Sequence, residues 1–208
     1  MPTPDFIVFD STYGEVRENS VTTVEKISEA EKKLGVSRNV IAITAAILAL
    51  QEYYGKDYVR IEYLSNNRME KYLSDTVGLV FKLLPITVNL NDFLTEQLLM
   101  SEISRQVAET IARSICDYGS EHDILMEYAL LVNYIADSGD ASAFDGLIPH
   151  EMPLKSQYEA SSTHADVYLE ENNGEVDIYI DHIKSCYAEG NMRKFSDMYV
   201  THFKRIVD

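Results

Sequence analysis

The chain has 208 residues, 46% of them hydrophobic, which is enough to bury the core of a domain and excludes a disordered tail. Lys and Arg number 18 against 34 Asp and Glu, a formal net charge of -16, so the average field repels phosphate backbones and anionic lipid. Neither nucleic acid nor a membrane surface is an expected partner. Two cysteines, Cys116 and Cys186, are too few for a disulfide scaffold or a structural zinc site. The longest uninterrupted apolar run, from Ala45 to Leu50, is too short to span a bilayer, and no basic region leads an apolar stretch at the start, so the expected location is cytoplasmic.

In chain order, Phe6-Ile7-Val8-Phe9 predicts a short strand, and Tyr13-Gly14 with the polar residues after it predicts a turn. From Val21 to Leu34 the residues Val24, Ile27, Ala30 and Leu34 recur at helical spacing among charges, with Gly35 as a stop, so an amphipathic helix is predicted. Ser37 can cap the next helix. Between Val40 and Leu50 only Thr44 is polar, so that helix has no face for water and belongs in the core. Gly55-Lys56-Asp57 ends it, and Tyr58 to Leu64 reads as a strand closed by Ser65-Asn66-Asn67. Val77 to Val88 is apolar apart from Lys82, and Pro85 predicts two strand pieces joined by an irregular loop.

Asn91 or Asp92 can cap a long helix with the stripe Leu99, Ile103, Val107, Ile111 and Ile115, whose other face carries Glu102, Arg105, Glu109 and Arg113. Leu130 to Ile135 predicts a buried strand, and residues 137–163, rich in Gly, Ser, Asp and Pro, a long functional or mobile loop. Val167 and Leu169 share one parity, as do Val176, Ile178 and Ile180, across the turn Asn172-Asn173-Gly174, so a hairpin with one apolar face is expected. A terminal helix starts at Asn191 with Met192, Phe195, Tyr199, Phe203 and Ile206 on one stripe. Strands and helices thus mix without strict alternation. The fold class is α/β, an α+β sandwich: a mixed β-sheet packed with helices in a single domain over residues 1–208.

The chemistry offers little. His122, His150, His164, His182 and His202 include no i,i+4 pair for a metal, and the G-x-S-x-G, G-x-x-x-x-G-K-[ST] and G-x-G-x-x-G patterns do not occur. No histidine stands beside either cysteine, and the acidic groups read as solvated faces. The residues themselves supply no catalytic constellation and no metal site.

Three stretches in order carry a resemblance. Ala45-Ala46-Ile47-Leu48-Ala49-Leu50 precedes Ile61-Glu62-Tyr63-Leu64-Ser65-Asn66-Asn67-Arg68. Then comes Gly78-Leu79-Val80-Phe81-Lys82-Leu83-Leu84-Pro85-Ile86-Thr87, close to a G-F-F-V-N-T-L-P-L-R motif, with Lys82-Leu83 in place of Asn-Thr and Thr87 in place of Arg. Glu121 to Glu127 falls where the motif H-Q-D-x-P-F-E is expected and keeps Asp123 and Glu127. With Asn133-Tyr134, the hairpin and the terminal helix, the sequence resembles the C-terminal half of a nonribosomal peptide synthetase condensation domain, of the chloramphenicol acetyltransferase-like superfamily.

That resemblance implies one wall of a tunnel in which carrier-bound acyl and aminoacyl thioesters are joined by an amide bond, in peptide antibiotic biosynthesis and secondary metabolism. It places a crossing loop at Gly78, Phe81, Lys82, Leu83, Leu84, Pro85 and Thr87, and gives Arg68, Asp123 and Glu127 as motif-matching structural residues. No cofactor is bound directly; the phosphopantetheine sits on partner carrier domains. The partners implied are the missing N-terminal condensation lobe and the carrier and adenylation domains of the same synthetase. The family's reactive histidine lies in an H-H-x-x-x-D-G motif, and no H-x-x-x-D occurs in this chain. The lobe is therefore expected to be inactive by itself, since a positioned acid-base histidine supplies about 10²–10⁴-fold.

Two other readings compete. A stand-alone CoA-dependent acyltransferase needs the same histidine motif. A non-catalytic module could dock carriers through residues 137–163, although a charge of -16 opposes encounter with carriers, which are usually acidic.

Overall fold

The computed structural model describes residues 13–65, 82–113, 129–136, 163–184 and 187–208. In chain order these form β1 (Tyr13–Thr23), α1 (Val24–Leu34), α2 (Arg38–Tyr54), β2 (Tyr58–Ser65), β3 (Lys82–Asn89), α3 (Glu96–Arg113), β4 (Ala129–Ile135), β5 (Thr163–Asn172), β6 (Glu175–Ile183) and α4 (Glu189–Val207), with a 3₁₀ turn at Leu90–Asp92. The six strands make one mixed sheet ordered β1-β6-β5-β4-β2-β3. Its centre, β2, β4 and β5, is parallel, and antiparallel partners close both sides.

Helix α2 organises the core, as its composition predicts. The Ser37 hydroxyl accepts from the Val40 N–H at 3.4 Å to start it, and Gly55, at φ 64°, ends it in the left-handed region. Every residue from Val40 to Ile47 is buried, so the helix lies inside the protein with the sheet on one side and α4 on another. The buried Tyr199 hydroxyl of α4 donates to the Ala42 carbonyl at 3.3 Å. Met192, Phe195, Tyr199, Phe203 and Ile206 are all buried, as their spacing predicts. α4 itself begins at Glu189, two residues earlier than expected, after Ala188, which provides no side-chain cap.

Sheet residues of one parity complete this core: Val16; Val176, Ile178 and Ile180; Ala165, Val167 and Leu169; Leu130 and Val132; Val59, Ile61 and Tyr63; Leu84, Ile86 and Val88. The hairpin forms as predicted, with Asn173 at φ 51° and Gly174 at φ 82°, the pair of positive angles that a two-residue turn between twisted strands requires.

Three sequence expectations are corrected. Tyr13 to Thr23 is an eleven-residue edge strand, not a turn, and it takes Val21 to Thr23 from the predicted helix. Its period is masked because only Val16 and Val21 are buried and the register shifts between Glu18 and Thr22. There Ser20 has φ 51°; its N–H bonds the Asp177 carboxylate at 2.8 Å and its hydroxyl pairs with Glu175. Thr23 then caps α1 by accepting from the Lys26 N–H.

Second, β3 runs unbroken through Pro85, opposite Glu62. Proline is tolerated because β3 is the edge strand: Pro85 shares parity with Thr87, whose peptide groups face away from β2, so no ladder donor is lost. Third, α3 is capped by Thr95, whose hydroxyl accepts from the Leu98 N–H at 3.3 Å, while Asn89 caps the preceding turn. Asn91 and Asp92 lie within that turn. The predicted strand Phe6–Phe9 lies outside the described residues.

Candidate functional site on the second face of the sheet

With one face of the sheet committed to the helical core, function is sought on the other. Cross-strand register places Pro85, Glu62, Leu131, Asp166, Asp181 and Glu15 in one row across all six strands. Leu131 is buried yet stands outside the core cluster, because its parity turns it to this second face. Beside the row, Asn133, Tyr168, Tyr179 and Arg17 follow one another on β4, β5, β6 and β1.

Carboxylates stand opposite one another on this face. Asp166 stands directly opposite Asp181, and Asp181 directly opposite Glu15, an arrangement in which like charges destabilise a sheet. Burial pushes the Asp181 carboxyl above its ordinary range, Glu15 adds to the rise and Arg17 opposes it. Arg17 offsets these charges at the β1 edge: it bonds Glu15 at 3.1 Å, reaches Asp177 at 3.8 Å and lies 4.4 Å over the Tyr179 ring, while Arg60 shares the face of Glu62 on β2. Tyr179 in turn stacks on Tyr168, centroids 4.9 Å apart and 16° from parallel. Burial and the neighbouring carboxylates of Asp166 and Asp181 raise the Tyr168 phenol well above its usual value, so it stays neutral and donates to Asp166 at 3.4 Å.

The predicted crossing-loop residues divide between the two faces. Leu84 is fully buried in the helical core; Leu83, Pro85 and Thr87 share the opposite parity and are half-buried. Lys82 opens β3 opposite Ser65. Gly78, Phe81, Arg68, Asp123, Glu127 and the loop residues 137–162 lie outside the described residues. Sequence reading missed the row itself. The part of it legible in the sequence is the hairpin, where Asp166, Tyr168 and Glu170 alternate with the apolar set and face Asp181, Tyr179 and Asp177.

This face can hold hydrogen-bond donors and cations and can seat a flat surface against its tyrosines. Neither His182 nor His202, the histidines whose side chains are described, lies on it, and no cluster able to hold a metal ion occurs among the described residues.

Comparison with solved structures identifies the fold. The epimerization domain from the third module of tyrocidine synthetase B superposes with a TM-score of 0.74 at 15% identity, over 98% of this chain and 50% of that one. The fold is that of a condensation-domain lobe. The condensation domain of the Monacolin K polyketide synthase gives 0.72 at 14% identity, over 94% of this chain and 47% of its own. A nonribosomal peptide synthetase cyclization-docking bidomain from Sorangium cellulosum gives 0.67 at 9%, over 97% and 43%. The chain thus spans about half the length of these relatives. No family model and no curated protein matches the sequence. The six-stranded mixed sheet with its helices confirms the expected α/β, chloramphenicol acetyltransferase-like class.

Proposed function

We propose that this lobe is the C-terminal half of a condensation domain, and that the second face of its sheet, with Leu83, Pro85 and Thr87 at one edge, contributes a wall of the tunnel in which carrier-bound thioesters are joined. The observation that carries the reading is the match to about half of each of several solved condensation and epimerization structures, by a chain whose ordered motifs resemble one half of that family. The chemistry of this face supports it physically. A row of carboxylates and stacked tyrosines on a face outside the helical core suits a surface built to meet another unit.

On this reading the acid-base histidine comes from the missing N-terminal lobe. The substrates arrive on phosphopantetheine arms of carrier domains, with adenylation domains upstream of them in the same cytoplasmic synthetase. Formation of the amide needs a base for the acceptor ammonium as the amine attacks the thioester carbon and the thiolate leaves. On this reading the base comes from the upstream lobe, and this lobe contributes shape, exclusion of water and positioning.

The test is reconstitution. The chain is mixed with loaded donor and acceptor carriers, with and without a separately produced upstream lobe, and the carrier-bound product is read by mass spectrometry. Amide product only when both lobes are present supports the reading; amide from this chain and the carriers without the upstream lobe overturns it.

A further inference from the structure

One buried ionisable group takes no part in the proposed function. His182, at the end of β6, belongs to the core parity of its strand, with Ala165 of β5 on one side and Gly14 of β1 on the other. It is 2% exposed, and neither ring nitrogen has a hydrogen-bond partner among the described residues. The ring lies directly over Gly14: a Cβ there would come within 2.7 Å of His182 Cε1 and 2.8 Å of Nε2. Glycine is required at this position because the imidazole fills the space a side chain would take.

The imidazole makes no hydrogen bond of normal geometry among the described residues and has the Ile180 backbone beside it, so it is poorly satisfied when neutral, and a charged ring adds the larger cost of a buried cation. The groups that face it offer little compensation. Lys184, just past the end of β6, also approaches Gly14 and is a like charge; Glu189, at the start of α4, is a carboxylate acting on it; β1 and β5 present Gly14 and Ala165. Glu15, Asp166 and Asp181 have the opposite parity and stand on the other face of the sheet. Desolvation accordingly lowers the His182 pKa, opposed by the Ile180 backbone, reinforced by Lys184 and opposed by Glu189. With the folded value below the ordinary 6.5, the histidine's contribution to stability is complete above that value and is lost as pH falls below it.

The position of the ring decides where such a loss would be felt. β1 is an edge strand held by β6 on one side, and Gly14 is the second residue of that pairing, next to Tyr13 opposite Ile183. Lifting two residues of β1 off β6 exposes the imidazole to water while the pairs from Val16 onward stay formed.

We propose that the packing of His182 over Gly14 is a pH-sensitive latch: neutral, it holds the start of β1 on the sheet; protonated, it releases that end of β1 while the remainder of the fold persists.

Hydrogen exchange followed by NMR tests this, with protection factors corrected for intrinsic rates between about pH 7.5 and about pH 5. The expected result is an about three- to tenfold fall in protection of the amides of residues 14–17 and 181–183, with those of Val40 to Ile47 unchanged. In His182→Phe, which keeps a ring over Gly14 and cannot titrate, the pH dependence is expected to vanish. A uniform loss across β1 and α2, or a pH dependence that survives in the variant, would overturn the latch. Should the variant not fold, the wild type decides: a loss of protection at residues 14–17 and 181–183 that follows the same pH midpoint as the His182 ring-proton titration supports the latch, and a loss that does not follow it, or no loss, refutes it.

Discussion

Gln106 of α3 closes the free edge of the sheet at Thr87: its amide oxygen accepts the Thr87 N–H at 3.0 Å and its amide nitrogen donates to the Thr87 carbonyl at 2.8 Å. One side chain thus does for this residue what a neighbouring strand would do, and Pro85, two residues earlier on the same side, has no N–H to offer. Together they blunt an edge that would otherwise template pairing with another chain. Replacing Gln106 with Leu should cost about 1–3 kcal/mol, two hydrogen bonds' worth, measured by urea unfolding. It should also increase aggregation on mild heating, and an unchanged unfolding midpoint would contradict the role given to this pair.

A second prediction concerns Arg38, which joins three elements at the start of α2. Its guanidinium bonds Glu31 at 2.8 and 3.2 Å, pairs with Glu171 of β5 and lies 5.6 Å from the Tyr134 ring of β4, while its backbone N–H reaches Glu31 at 2.7 Å. Lysine keeps the charge but not the fork, so Arg38→Lys should destabilise by about 1–3 kcal/mol in urea unfolding. The same cluster has a pH signature. Burial works to raise the Glu31 pKa, but the Arg38 hydrogen bonds and charge outweigh it and leave it lowered. Stability from Glu31 is therefore complete above its ordinary 4.5 and is lost as pH falls through the lower folded value. Glu31→Gln should flatten the acid limb of the stability curve.

Asp181 carries the opposite sign. Its carboxyl is raised by burial and by Glu15, so the folded chain prefers it protonated, and that preference stabilises only at low pH. Asp181→Asn should melt higher than the wild type at neutral pH, and the difference should disappear below the ordinary value of 3.8. A variant that melts lower at pH 7 would show that the charge is satisfied within the isolated lobe.

The hairpin turn gives a local test. Gly174 sits at φ 82° and its carbonyl accepts the Val24 N–H at 3.0 Å, tying the turn to the start of α1. Gly174→Ala puts a Cβ into the left-handed region and should cost about 1–2 kcal/mol by thermal or urea unfolding.

Much of this architecture was legible in the residues. The stretch Val40–Leu50, apolar except for Thr44, admitted only a buried helix, the parity of Val167, Leu169, Val176, Ile178 and Ile180 around Asn173-Gly174 admitted only a hairpin, and the stripe from Met192 to Ile206 set the face of α4. What failed was tied to edges and ends. β1 buries two side chains and breaks its register at Ser20, so no period survives to be read, and Pro85 signals a break only where a second ladder partner exists. At α3, Asn91 and Thr95 are equally good caps by residue type, and only the intervening turn selects the second. The site was less legible for a different reason. The row from Pro85 to Glu15 is made of single residues on six strands, and strand order is a tertiary fact that no local pattern contains. The motif residues Arg68, Asp123 and Glu127 remain sequence resemblances.

The size of the native polypeptide tests the central claim most directly, by immunoblot of the source cells with an antibody raised against this chain. A band of synthetase size, well above that of 208 residues, is the expected result, and the upstream residues of that polypeptide should then carry the H-H-x-x-x-D-G histidine. A single band at the size of 208 residues would contradict it.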